Sequence, residues 1–176
     1  MCERHTERLI LRMFREADFD AYAAMVADAE VVRYLGDGQP VSRFEAWRSM
    51  ASFLGHWQLR GYGLWAAEER SSGVLVGRVG FWRPEGWPDF ELGWMLRREA
   101  WGRGYATEGA RRAMAHAFTE LGRGHLISLI RPGNDPSIRV AERLGETLRS
   151  ETVLFGHPAL VYGIDRAGWR NKNFTE

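Results

Sequence analysis

The feature that most restricts what this chain can fold into is a junction. Residues 89–96 read as a strand. Residues 107–121 read as a helix, with Ala110, Ala113, Met114, Ala117, Phe118 and Leu121 on one stripe and Gly122-Arg123-Gly124 to end it. The turn between them is Trp101-Gly102-Arg103-Gly104-Tyr105-Ala106-Thr107. Two glycines and an alanine let the main chain pass close to a ligand, and successive N–H groups at a helix start form an anion-binding nest reinforced by the helix dipole. A pyrophosphate suits such a nest. The glycine pair by itself fits an ordinary strand-to-helix turn more readily than a ligand loop. A dinucleotide fingerprint would need Gly or Ala where Thr107 stands, and a Walker loop would need a lysine that the stretch lacks.

The segments around the junction set the fold class. Residues 6–14 read as a first strand, and residues 18–26 switch to helical spacing through Phe19, Tyr22, Ala23 and Val26. After the turn at 36–40, Ser42 with Glu45 makes a capping-box start for a helix to about Leu59. Strand-like runs at 62–68, 74–82 and 89–96 look like a meander. Beyond the junction helix come a short buried strand at 126–130, a helix opened by Asn134-Asp135-Pro136-Ser137 and ending near Gly145, and two last strands at about 146–155 and 159–165. The order predicts an α/β domain with a mixed, mostly antiparallel central sheet and a β-α-β crossover, a single domain over residues 1–176.

Composition narrows the function classes. At 45% hydrophobic and 27% charged, the 176 residues have the balance of a folded soluble protein. The formal charge of +1 gives no case for nucleic-acid binding, and Lys172 is the only lysine among many arginines. Cys2 is the only cysteine, which excludes an intrachain disulfide and, lacking helix or strand context, offers no covalent nucleophile. No apolar leader and no run long enough to span a bilayer is found, so the expectation is a cytoplasmic protein without a membrane partner. His5, His56, His116, His125 and His157 lack metal-ligand spacing, so no metal is expected.

Three motifs then resemble one family. Trp101-x-x-Gly104-x-Ala106 lies on the pyrophosphate loop of the GNAT superfamily of N-acetyltransferases, with Trp101 in place of its usual Gln or Arg. The run Trp101 to Glu108 is similar to that of the ribosomal-protein alanine/serine N-acetyltransferases, the RimJ/RimL-like group. Glu91-Leu92-Gly93-Trp94-Met95-Leu96 looks like that group's fourth strand, and Asn134-x-x-Ser137 followed by Val140 to Gly145 looks like its second cofactor element.

The resemblance implies a fold, a cofactor and roles. The fourth and fifth strands of the fold would splay apart, here between 89–96 and 126–130, and the pantetheine of acetyl-CoA would pair with the main chain of Trp94 and Leu96. Gly102, Arg103, Gly104, Tyr105, Ala106 and Thr107 would hold the pyrophosphate, and Asn134 would hydrogen-bond pantetheine from the side. The implied reaction is direct transfer of an acetyl group to a primary amine in a ternary complex. Transfer to an amine needs a neutral nucleophile, donors for the oxyanion and a proton for the thiolate. Glu91 is the candidate base or cation binder, an N–H near Met95 the oxyanion donor, and Ser137 the partner of the sulfur. Many superfamily members carry a tyrosine as acid where this chain has Ala141.

Trp57, Trp65, Trp82 and Trp87 could line an acceptor pocket, although core packing or interface burial accounts more readily for most of them, as a place in the sheet does for Tyr162. The amine could be a small molecule or a protein N-terminus. A homodimer fits if the aromatic late strands leave an apolar patch. The rival reading is a non-catalytic acyl-CoA-binding regulatory module.

Overall fold

The structure, a computed structural model, describes residues 3–173, with side chains through residue 169. Cys2 lies outside the described residues. Eight strands form one sheet in the order β1-β2-β3-β4-β5-β6-β8-β7, from β1 (Arg4–His5) and β2 (Leu9–Arg12) through β3 (Leu64–Glu69), β4 (Leu75–Trp82), β5 (Glu91–Leu96), β6 (His125–Ile130) and β7 (Thr147–Leu154) to β8 (His157–Asp165). All neighbours pair antiparallel except β5 with β6. The mixed α/β architecture expected from the element order is the one observed.

Helices cover both faces. On one side α1 (Phe19–Val26), α2 (Ala29–Val32) and α3 (Arg43–Arg60) bury Tyr22, Val26, Val31, Met50 and Phe53 against Leu64, Ala66, Leu75 and Met95 of the sheet. On the other, α4 (Tyr105–Thr119) and α5 (Asp135–Leu144) bury Ala110, Ala113, Met114, Ala117, Val140 and Leu144 against Leu9, Val79, Phe81, Leu92 and Leu126. The capping box read at Ser42 is present: its hydroxyl accepts from Glu45 N, and the Glu45 carboxylate accepts from Ser42 N.

Two expectations need correction. The single strand at 6–14 is a hairpin. Thr6 Oγ1 accepts from Leu9 N at 2.8 Å and donates to the Glu108 carboxylate at 2.6 Å, which pulls residues 6–8 out of the ladder and onto α4. The chain also continues past its last strand into α6 (Arg166–Asn173), whose polar composition offers no helical apolar stripe; Trp169, its ring tilted against Phe118 at 5.3 Å, and Arg166, bonded to Arg123 O and Gly124 O, tie it down.

Candidate active site

β5 is paired along its whole length on one side and almost nowhere on the other. Six residues match β4, from Gly77↔Leu96 to Trp82↔Glu91, whereas β6 shares the single position Glu91↔Ile127. The strands therefore diverge beyond Glu91, in the splay expected between these segments. Strand parity decides what faces the gap. Phe90 O accepts from Ile127 N, Leu92 O from Ser128 Oγ, and Leu96 O from Trp101 Nε1, so the main chain of the even-numbered residues points into the opening. Trp94 and Leu96 thus present main-chain groups there, with the Leu96 carbonyl already held by Trp101 at 2.8 Å. Met95 has the opposite parity: its amide turns to β4 and its side chain enters the core beside α3, so an oxyanion donor on this strand belongs to Trp94 or Leu96.

Past Leu96 the chain makes a short helical turn at Arg98–Ala100 and enters the glycine loop. Gly102 (φ +72°) and Gly104 (φ +83°) both adopt left-handed backbone, which a side chain would strain, and Gly104 is the N-cap of α4. The helix begins at Tyr105, two residues before the sequence reading. Its first intrahelical bond is Glu108 N to Gly104 O, leaving the N–H groups of Tyr105, Ala106 and Thr107 without helical acceptors. Cations surround them. Arg8 and Arg103 lie over the Tyr105 ring at 4.7 and 4.8 Å, Arg8 is tied to Glu108, and Arg103 to Glu69. The loop thus presents three N–H groups without helical acceptors beside two arginines, each paired with a carboxylate.

At its other end β5 carries Glu91 on the face covered by α3. Trp87 Nε1 donates to its carboxylate at 2.7 Å, the Leu129 N–H reaches it from β6, and Arg78 supplies a nearby positive charge. Burial nevertheless dominates and pushes the Glu91 carboxyl up to about 7. Around it, Arg78 lies over the Phe53 ring at 5.3 Å and Trp82 packs edge-on to Phe53 at 5.5 Å. Gly80 and Gly93 are cross-strand partners, and a side chain at Gly93 would meet only Glu91 Oε1, at 3.8 Å. The result is open space over Gly93 beside a carboxyl poised near neutrality, whereas a side chain at Gly80 would meet Gly63 O at 2.4 Å. Trp87 also lines a groove of about 510 Å³ with Leu59, Arg60, Tyr62, Arg83 and Arg123, and Phe155 at the β7–β8 tip packs on its ring at 5.7 Å.

α5 closes the opening from the opposite face. Asn134 is its N-cap, its side-chain oxygen accepting from Ser137 N at 3.3 Å. Ser137 is therefore released from capping; its hydroxyl accepts from Trp94 Nε1 at 3.3 Å across the mouth of the splay. Glu91, Trp94, Leu96, Asn134 and Ser137 are thus gathered around one cleft.

The remaining aromatics divide. Trp57 and Trp65 are core, Trp82 and Trp87 flank Glu91, and Tyr162 packs with Ile130 and Ala141 against Trp94. The histidines do not converge, and no group of three or more potential ligands for a metal occurs among the described residues. His56 illustrates their use: Nδ1 bonds to Tyr62 O and Nε2 to Arg83 N, which fixes the ring stacked on Trp82.

Arg78, Ser128 and Glu146 were missed by the sequence reading. Arg78 carries the same signal as Glu91, a charge inside an apolar strand. Glu146 sits where a polar strand begins, and nothing local reveals that it is 2% exposed.

With this geometry in hand the comparisons are specific. Residues 8–147 match the acetyltransferase (GNAT) domain family. The uncharacterised protein YkkB of Bacillus subtilis is 32% identical over 165 residues, covering 89% of this chain and 92% of its own. The crystal structure of an acetyltransferase from Agrobacterium tumefaciens shares 33% identity with a TM-score of 0.83, covering 93% of this chain and 94% of that one. The ribosomal L7/L12 α-N-protein acetyltransferase RimL, solved with coenzyme A, has the same fold at 21% identity and a TM-score of 0.76, covering 91% and 95%. The chain belongs to the GNAT acetyltransferase family, an enzyme family of acetyl transfer. No helix among the described residues is long and apolar enough to cross a membrane.

Proposed function

We propose that one domain of 176 residues transfers the acetyl group of acetyl-CoA directly to a primary amine, with both substrates bound at once. The single observation that carries this reading is the continuity of the cleft. One strand, β5, turns main chain that β6 does not pair toward the splay at Trp94 and Leu96, runs into the glycine nest at one end, and carries Glu91 at the other. Those residues fit the cofactor: left-handed glycines leave room for a pyrophosphate, orphan N–H groups face it, and an open strand edge can pair with amides of pantetheine. Bound there, acetyl-CoA supplies an activated acyl carbon and a thiolate leaving group.

The chain's own residues do the rest. Glu91, nearly half ionised at neutral pH, takes a proton from the incoming ammonium or amine, and Arg78 limits how far burial can neutralise it. The Trp94 or Leu96 amide donates toward the carbonyl oxygen. Ser137 holds the sulfur end, with Trp94 as its own donor. The intact base position favours an enzyme over a regulatory acyl-CoA-binding module. The acceptor enters over Gly93, flanked by Trp82 and Trp87, and is a small molecule or a protein N-terminus, the latter in keeping with the RimJ/RimL-like sequence run. We place the reaction in the cytoplasm and leave a homodimer compatible with the exposed Leu148 and Val153 of β7.

The test is release of free coenzyme A from acetyl-CoA with a panel of amines and peptides, the acetylated product being identified by mass spectrometry. Amine-dependent thiol release is expected. Tight coenzyme A binding with no release for any amine would instead favour the regulatory module.

A further inference from the structure

The floor of the splay holds a second acid that the proposed reaction does not use. Glu146 lies between α5 and β7, 2% exposed, with its main-chain N–H on the Ala141 carbonyl. Its Oε1 is 3.1 Å from Ser128 Oγ, and its Oε2 is buried without a hydrogen-bond partner. Ser128, also 2% exposed, is in turn 2.8 Å from the Leu92 carbonyl, the last β5 main-chain group before the strands part.

Counting protons decides how these three groups are joined. A serine hydroxyl has one proton, and Leu92 O can only accept. If Ser128 donates to Leu92, its contact with Glu146 is a hydrogen bond only when Glu146 brings a proton of its own. A carboxylate there would leave two acceptors competing for one proton and a buried charge with an unpartnered oxygen, the costliest arrangement available.

We propose that Glu146 is a positioning residue: as a neutral carboxylic acid it donates to Ser128, Ser128 donates to Leu92 O, and this chain fixes the point where β5 and β6 part. The assignment rests on the reading of the splay as the pantetheine site. It limits how deep that site extends, because Leu92 O is covered and Trp94 becomes the first open position. It also keeps a second negative charge away from Glu91. Desolvation pushes Glu146 up to about 8, with the charge of Glu91 adding to the rise. Glu91, from β5, is the one charged group that acts on it; β6 contributes the uncharged Ser128, and α5 and β7 contribute none among the described residues. Above that pH the Ser128 proton turns to the carboxylate, Leu92 O loses its donor, and the strands are released.

The experiment compares wild type with Glu146→Gln, whose amide can still donate to Ser128. Wild-type-minus-variant infrared spectra of the free proteins at neutral pH, in which the Glu91 acid common to both cancels, should show a carboxylic-acid carbonyl band owed to Glu146 that fades as pH rises through about 8. Calorimetry with coenzyme A should show wild-type affinity falling about fivefold more than the variant's between neutral and alkaline pH, the effect of one lost hydrogen bond. Ser128→Ala, which removes the acceptor while leaving the acid, should shift the band. A missing band, or a band unmoved by Ser128→Ala, overturns the proposal, as do matching pH dependences in the two proteins. If coenzyme A does not bind at all, the proposed function falls instead, and the band still decides the state of Glu146.

Discussion

The two ends of β5 are built in opposite ways. Beyond Leu96, seven consecutive residues make the anion nest: two left-handed glycines set the turn, and three orphan N–H groups follow from starting a helix there. Around Glu91 nothing is consecutive. Its proton affinity comes from burial, which the hydrogen bond from Trp87 in the β4–β5 loop, the charge of Arg78 on β4 and the Leu129 N–H on β6 offset only in part. The first end is backbone geometry, which sequence encodes locally. The second is electrostatics, which depends on what the fold brings near.

Substitutions should separate the two ends cleanly. The largest effect is expected from Glu91→Gln, which keeps the side-chain shape and one acceptor oxygen but deletes the base: kcat should fall by roughly 10²–10⁴. Coenzyme A affinity, read by calorimetry, should stay within about twofold, since uniform binding is untouched. Gly104→Val should do the reverse. A β-branched residue at φ +83° costs about 1–3 kcal/mol of strain, and coenzyme A affinity should drop by about tenfold or more, a loss of about 1.4 kcal/mol. Equal losses of affinity in both variants would mean that the ends are not separate.

A third effect is on stability. Burial raises the Glu91 carboxyl from its ordinary range to about 7, so the folded state binds the proton more tightly than the unfolded chain. Wild type should therefore lose stability as pH rises from about 4.5 to about 7, and Glu91→Gln should remove part of that loss. Thermal melts at pH 8 should find the nearly inactive variant the more stable protein. The smallest effects concern the α5 cap: Asn134→Ala should cost about 0.5–2 kcal/mol of stability, whereas Ser137→Ala should lower turnover with little change in melting.

The same division explains what the sequence discloses. The glycine loop, the Asn134 cap and the Ser42–Glu45 box are legible because each is a local solution to a backbone requirement. The splay is foreseen only through family resemblance, since periodicity marks β5 and β6 as strands without saying where they part. Glu91 stands out as a charge among Phe90, Leu92 and Leu96, and so does Arg78, once a partner gives it meaning. Glu146 does not, because β7 is largely exposed and its preceding residue looks like one more solvent-facing position. α6 escapes notice because its anchors are tertiary, the Trp169 ring on Phe118 and the Arg166 bonds to Arg123 O and Gly124 O.

The central claim is that Glu91 accepts the proton of the reacting amine, and the pH dependence of kcat/KM in wild type and Glu91→Gln tests it most directly. Any limb owed to the amine itself is common to both proteins. The account predicts an additional rise in wild type centred near pH 7 that the variant lacks. Identical profiles in the two proteins would contradict it.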